Sequence, residues 1–198
     1  MKPNTQSSIL ATAYFPSIQY FQCLYKYNSI QIEHNEYYKR HSHRNRCVIL
    51  AANGPLLLTV PIHSSSKILM KNIRIANENW MKNHINSIKS AYGSSPFFIY
   101  YFEDIQKIIN KKHTFLIDLN IDILDYFLNE LHINKCIKYT QKYVKNYPEN
   151  TDDQRREINK MSKQKKYHQV FGENFTKNLS IIDLIFNVGP KAQEYIRV

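Results

Sequence analysis

Within fourteen residues of chain, Glu33, His34, Lys39, His41, His43, Arg44, Asn45 and Arg46 gather one carboxylate, three imidazoles and three cations. A histidine beside a carboxylate is the raw material of general acid–base chemistry. Guanidinium forks match the geometry of phosphate and carboxylate. In this reading Arg44 and Arg46 grip an anion, His34 is the general base, Glu33 orients it and Asn45 adds a polar contact. Lys39 and Tyr14 complete the candidate binding set. Trp80 and His84, one turn apart on a helix, are a second candidate contact with substrate. The competing readings are an exposed loop with ordinary surface charges for the first group, and a core histidine beside a core tryptophan for the second.

The elements that must position these residues are legible in outline. Two apolar runs, Cys47–Ala51 and Leu56–Ile62, flank Ala52-Asn53-Gly54-Pro55, and Asn-Gly between such runs signals a hairpin. Because Pro55 has no N–H, the spacing predicts a wider loop closed by Ala51 and Leu56, with Val48 opposite Thr59 and Arg46 opposite Pro61. Strand alternation then puts Arg44 and Arg46 on one face with Val48 and Leu50. Upstream, Ile9–Tyr14 reads as a buried strand, Ser17 caps a helix from Ile18 to about Tyr27, and Ser29–His34 alternates as a second, parallel strand. The carboxyl ends of such strands are where α/β sheets bind ligands. Asn72–Ile75 reads as a strand, and helices are expected over 79–92, from Ser95-Pro96 onward, and over 114–132. Cys136–Tyr139 is a candidate strand, and residues 145–167 read as a long surface loop. Ser180-Ile181-Ile182-Asp183 resembles a capping box opening a last short helix. The expected architecture is α/β, a small mixed sheet in the N-terminal part with mainly helical C-terminal cover, and one domain over 1–198.

Composition bounds the function. The formal net charge is +11 in 198 residues. Much of it lies in residues 35–46, with four Lys/Arg against one Glu, and in residues 155–166, with six against one. That excess fits either a nucleic-acid partner or the lysine of a compositionally drifting, A/T-rich coding sequence. Cys23, Cys47 and Cys136 are odd in number and sit in apolar patterns, as buried free thiols of a reducing cytoplasm do. No Cys/His spacing suggests a metal site, and the four glycines form no phosphate-binding loop. No stretch approaches the ~20 apolar residues of a membrane span. No cofactor is implied, and the oligomeric state is not readable.

An ordered series of short motifs then carries a resemblance: Thr12-Ala13-Tyr14-Phe15-Pro16, Gln19-Tyr20-Phe21, Arg44-Asn45-Arg46-Cys47, Asn53-Gly54-Pro55, Leu58-Thr59-Val60-Pro61, Asn79-Trp80, His84, Ser90-Ala91-Tyr92, Ser95-Pro96-Phe97-Phe98 and Tyr100-Tyr101. With Tyr167 to Phe171 and Asn178 to Asp183, the series resembles the WbqC-like family, and most closely its Bacteroidetes branch. The resemblance implies an association with polysaccharide and O-antigen assembly. Many members carry Asp-Asp where this chain has Glu33-His34. The family's Asp-Leu-Arg element stands here as Asp152-Asp153-Gln154-Arg155. Together these readings point to a cytoplasmic, metal-independent, transferase-like enzyme taking a small anionic intermediate of surface-polysaccharide assembly. The alternative is a non-catalytic basic module that binds nucleic acid or an acidic partner.

Overall fold

The computed structural model describes residues 7–63, 67–76, 79–156 and 164–197. Residues 157–163 of the second basic stretch, residues 64–66 of the polar loop after the hairpin and the first six residues lie outside that description.

The chain opens as β1 (Ser7–Ala11), α1 (Ile18–Lys26) and β2 (Ser29–Glu33), a short right-sized βαβ unit with β1 and β2 parallel. Ser17 caps α1, its side chain accepting from the Tyr20 N–H. β3 (Arg46–Ala51) and β4 (Gly54–Thr59) form the hairpin. Short strands β5 (Ile62–His63) and β6 (Arg74–Ile75) follow, with a 3-10 turn at Met70–Asn72 between them. Three amphipathic helices come next: α2 (Trp80–Tyr92), α3 (Phe98–Asn110) and α4 (Leu116–Glu130). Ser95-Pro96 forms a turn just ahead of α3, where the Phe98 N–H bonds the Ser95 carbonyl. The chain then gives β7 (Ile137–Tyr139), β8 (Thr151–Asp153), α5 (Ile181–Val188) and α6 (Ala192–Ile196).

The architecture is mixed α/β, with helices gathered mainly in the second half. Its main sheet departs in composition from the expectation. The order is β7-β2-β1-β8, parallel throughout, so both outer strands come from beyond residue 136. The hairpin stands apart as its own two-stranded sheet. β8 runs inside the stretch read as a surface loop. It escapes a hydrophobicity pattern because Thr-Asp-Asp occupies a polar edge, where Ser8 Oγ donates to the Asp152 carbonyl (2.9 Å) and Tyr27 donates to the Asp152 carboxylate.

The hairpin register is also corrected. Arg46 faces Thr59 and Val48 faces Leu57, with Ala51 paired to Gly54 around a two-residue turn. Pro55 does not widen the loop, because it sits opposite Leu50 at a position whose N–H groups point away from the partner strand. The Leu50 N–H accordingly bonds the Tyr92 hydroxyl at 3.0 Å. Gly54 takes φ +105°, which the turn requires and a β-carbon would resist. Cys47, Ile49 and Leu50 of β3 are buried, whereas Arg46 and Val48 are only partly so.

α5 is buried on every side from Ile181 to Asn187 and packs against α1, α3 and β3. Ser180 caps it through the Ile182 N–H. The carboxylate of Asp183 does not close a capping box. It turns inward to accept hydrogen bonds from Tyr92 (2.9 Å), Tyr167 (2.5 Å) and Gln169 (3.0 Å). Burial pushes its pKa up, and the three donors oppose that rise. Cys23 and Cys47 are buried as expected, but Cys136 is exposed. Among the described residues no helix is long and apolar enough to cross a membrane.

Candidate functional site

β1 and β8 are neighbours and parallel, so their carboxyl ends open at the same edge of the sheet. A cavity of about 400 Å³ lies there, lined by residues 13–17 after β1, by 39–44 and 46–48, and by Arg155 and Arg156 after β8. Its mouth is turned by unusual backbone. Phe15, His41 and Asn178 all line it with positive φ (37°, 56° and 63°). For a buried phenylalanine that conformation is strained and must be held by its surroundings. Here Ser180 Oγ donates to the Phe15 carbonyl at 2.9 Å. The Ile181 N–H bonds the Pro16 carbonyl, and the Ile18 N–H bonds the Leu179 carbonyl. The start of α5 thus clamps the start of α1.

Among the described residues, six Lys and Arg line the cavity: Lys39, Arg40, Arg44, Arg46, Arg155 and Arg156. No Asp or Glu of the described residues lines it. Two of the six are fixed from behind. Arg44 is 2 % exposed and gives both Nε (2.8 Å) and Nη2 (2.5 Å) to Glu36. Burial pushes the Glu36 pKa up, and Arg44 pulls it back down. Arg155 donates to both oxygens of Asp153 (2.8 and 2.5 Å) and to the carbonyls of Val144 and Lys145. Its guanidinium lies over the rings of Tyr143 and Tyr147, 5.1 and 5.0 Å from their centroids. Two buried nitrogens in the lining residues have no partner among the described residues: Nε of Arg46, always a donor, and Nε2 of His43, a donor in its Nε2–H tautomer. Burial, with Arg44 and Lys39 nearby, lowers the His43 pKa to about 3, so its ring is neutral at ordinary pH.

Of the residues singled out from sequence, Tyr14, Lys39, His41, His43, Arg44 and Arg46 meet at this cavity. Arg44 precedes β3 rather than continuing it, in the turn closed by Asn45 N–H to the Ser42 carbonyl. The other candidates stand behind the wall. Glu33 is fully buried at the end of β2 and accepts from Thr140 Oγ1 and the Asn35 N–H (both 2.7 Å). Its other oxygen is 3.6 Å from Arg155. His34 Nε2 holds the Thr140 carbonyl at 2.9 Å, with its ring against Tyr139. Asn45 is a clasp, accepting from Tyr38 (2.8 Å) and donating to the Val60 carbonyl (2.9 Å). Trp80 and His84 pack edge to face in the core, where the Tyr14 hydroxyl meets His84 Nδ1 at 2.8 Å. Burial lowers the His84 pKa to about 4, against a hydrogen bond to the Thr59 backbone that raises it. Asp122 of α4 is engaged by Lys111 (2.6 Å) and His113 (2.8 Å). No group of three or more His, Cys, Asp or Glu among the described residues is arranged to hold a metal ion.

Sequence reasoning left His43 out of the binding set, although it stood inside the cluster, and placed Arg155 and Arg156 only in the basic stretch 155–166 of the nucleic-acid alternative, not beside Arg44 and Arg46. A second signal for Arg155 was the Asp152–Arg155 element of the family resemblance.

The sheet and this cavity define an α/β protein with a polycationic cleft at the carboxyl edge of parallel strands. The chain belongs to the WbqC-like protein family, which matches residues 12–157 and 151–195. No curated protein and no solved structure matches it.

Proposed function

We propose that the cavity receives a small polyanion, and that the protein is a transferase-like enzyme acting on an anionic intermediate of surface-polysaccharide assembly. One observation supports the reading: among the described residues, six cationic side chains from two distant stretches of chain line one cavity, and no carboxylate of those residues joins them. Like charges so placed repel each other in the empty site, and a bound anion relieves that cost. Arg46 and Lys39 contact the ligand in this reading, while Arg44 is fixed by Glu36 and shapes the wall. Glu33 and His34 act as positioning residues. Through Thr140 and Arg155 they tie the end of β2 to the strand segments that carry the cavity. The part played by surface-polysaccharide assembly rests on the family resemblance.

Calorimetric titration with pyrophosphate tests the anion. Binding in the micromolar to low millimolar range is expected, and Arg46→Lys should weaken it clearly by losing the forked contact. The convergence of both basic stretches would also serve a nucleic-acid partner, and salt separates the two. A strand binder loses affinity log-linearly with a slope set by many phosphates, whereas a ligand confined to this cavity releases few counterions. Absence of binding by any small phosphate, with a steep salt slope for oligonucleotides, would replace the first reading by the second.

A further inference from the structure

The hairpin adds a property that an anion alone does not use. The register sets Arg46 opposite Thr59 and Val48 opposite Leu57. Side chains alternate along a strand, so Val48 lies on the same face of β3 as Arg46. Val48 and Leu57 both line the cavity, and Leu57 is 51 % exposed. The wall therefore passes from a guanidinium to a bare aliphatic pair in one two-residue step, about 7 Å. At the charged end, Arg46 Nε and His43 Nε2 are buried without partners. Leaving the Arg46 N–H unpaired is costly, and an oxyanion would satisfy it together with His43 in the Nε2–H tautomer that such a ligand selects. Among the described residues, Lys39, Arg46 and Arg156 supply positive charge beyond the matched pairs Arg44–Glu36 and Arg155–Asp153. A diphosphate meets that charge, and a single carboxylate does not.

Resting on the anion reading above, we infer that the ligand is an organic diphosphate whose phosphoryl oxygens take the donors of His43 and Arg46 while its apolar or aromatic group lies on Val48 and Leu57. An inorganic polyanion leaves that aliphatic pair in water, so the organic group is what the site selects.

The test is calorimetric titration of the full chain, at one ionic strength, with pyrophosphate, uridine diphosphate and geranyl diphosphate. At least one of the two organic ligands should bind about tenfold tighter than pyrophosphate, as burial of a small apolar area gives. Which of them is tighter tells whether the group is a flat base or an aliphatic chain. Leu57→Ser, a change at an exposed position, should erase the advantage without altering pyrophosphate affinity or thermal midpoint. Equal affinity for all three ligands overturns this inference and leaves the anion site standing, as does a Leu57→Ser variant that weakens all three alike. Failure of all three to bind removes both.

Discussion

Arg44 and Arg46 are two residues apart and do different things. Arg44 is enclosed and bonded twice to Glu36, whereas Arg46 keeps a buried donor without a partner. Lysine can replace neither fork. Arg44→Lys is expected to lower stability by roughly 2 kcal/mol, because the buried Glu36 loses one of its charge-assisted bonds. Arg46→Lys should change stability by less than about 0.5 kcal/mol and weaken pyrophosphate about tenfold. Urea midpoints and calorimetric affinities on both variants check the split. His84 makes a separate prediction about acid. The unfolded chain takes up this proton near pH 6.5 and the folded protein only near 4. Between those values the unfolded state binds more protons, so stability falls as pH drops below about 6.5 and the loss levels off near 4. A difference of that size is worth about 3 kcal/mol. Unfolding midpoints measured from pH 7.5 to 4 should therefore decline, and His84→Gln should make the decline shallower. His43 contributes with the same sign. Lys39, Arg44 and Arg46 could be found in the sequence because they lie together in the chain. That Arg155 and Arg156 join them could not, since more than a hundred residues of chain lie between, and the β1–β8 pairing and the bond from Arg44 Nη2 to the Arg155 carbonyl (3.4 Å) bring the two groups together.

At the scale of elements, hydrophobic patterning located whatever is half apolar. β1, α1, β2, the hairpin and α4 were legible for that reason, within three residues at their ends. The hairpin register was not, because the argument from Pro55 assumed that its missing N–H would be needed in the ladder. β8 was invisible because a polar edge strand has no apolar face to show, and its partner hydroxyls on Ser8 and Tyr27 carry no strand signal. The glycines separate two kinds of turn. At Gly54 an added β-carbon meets nothing within 4 Å, so Gly54→Ala should cost only the backbone conformation, about 1 kcal/mol. At Gly189, where φ is +55°, the same atom would land inside the Phe97 ring. Gly189→Ala is thus expected to cost roughly 3 kcal/mol or more, since neither α3 nor α5 can yield. Thermal midpoints of the two variants, compared directly, decide it.

Across the whole molecule, the net charge of +11 divides into charge that converges and charge that does not. Lys165 reaches the Glu194 carbonyl from an exposed position, and Lys166 is also exposed. Replacing both with Gln should leave stability within about 0.5 kcal/mol and pyrophosphate affinity unchanged. A collapse of affinity in that variant, measured by the same calorimetry, would extend the site beyond the cavity. The placement of α5 has a consequence for synthesis. Its residues are buried among α1, α3 and β3, and it clamps the Phe15 turn, yet it follows β3 by some 130 residues. β1 likewise waits for β8 before its second edge is covered. A ribosome making this chain therefore holds the sheet and the hairpin unfinished until residue 188 has left the exit tunnel. Through most of translation the nascent chain carries apolar faces whose native cover has not yet been made.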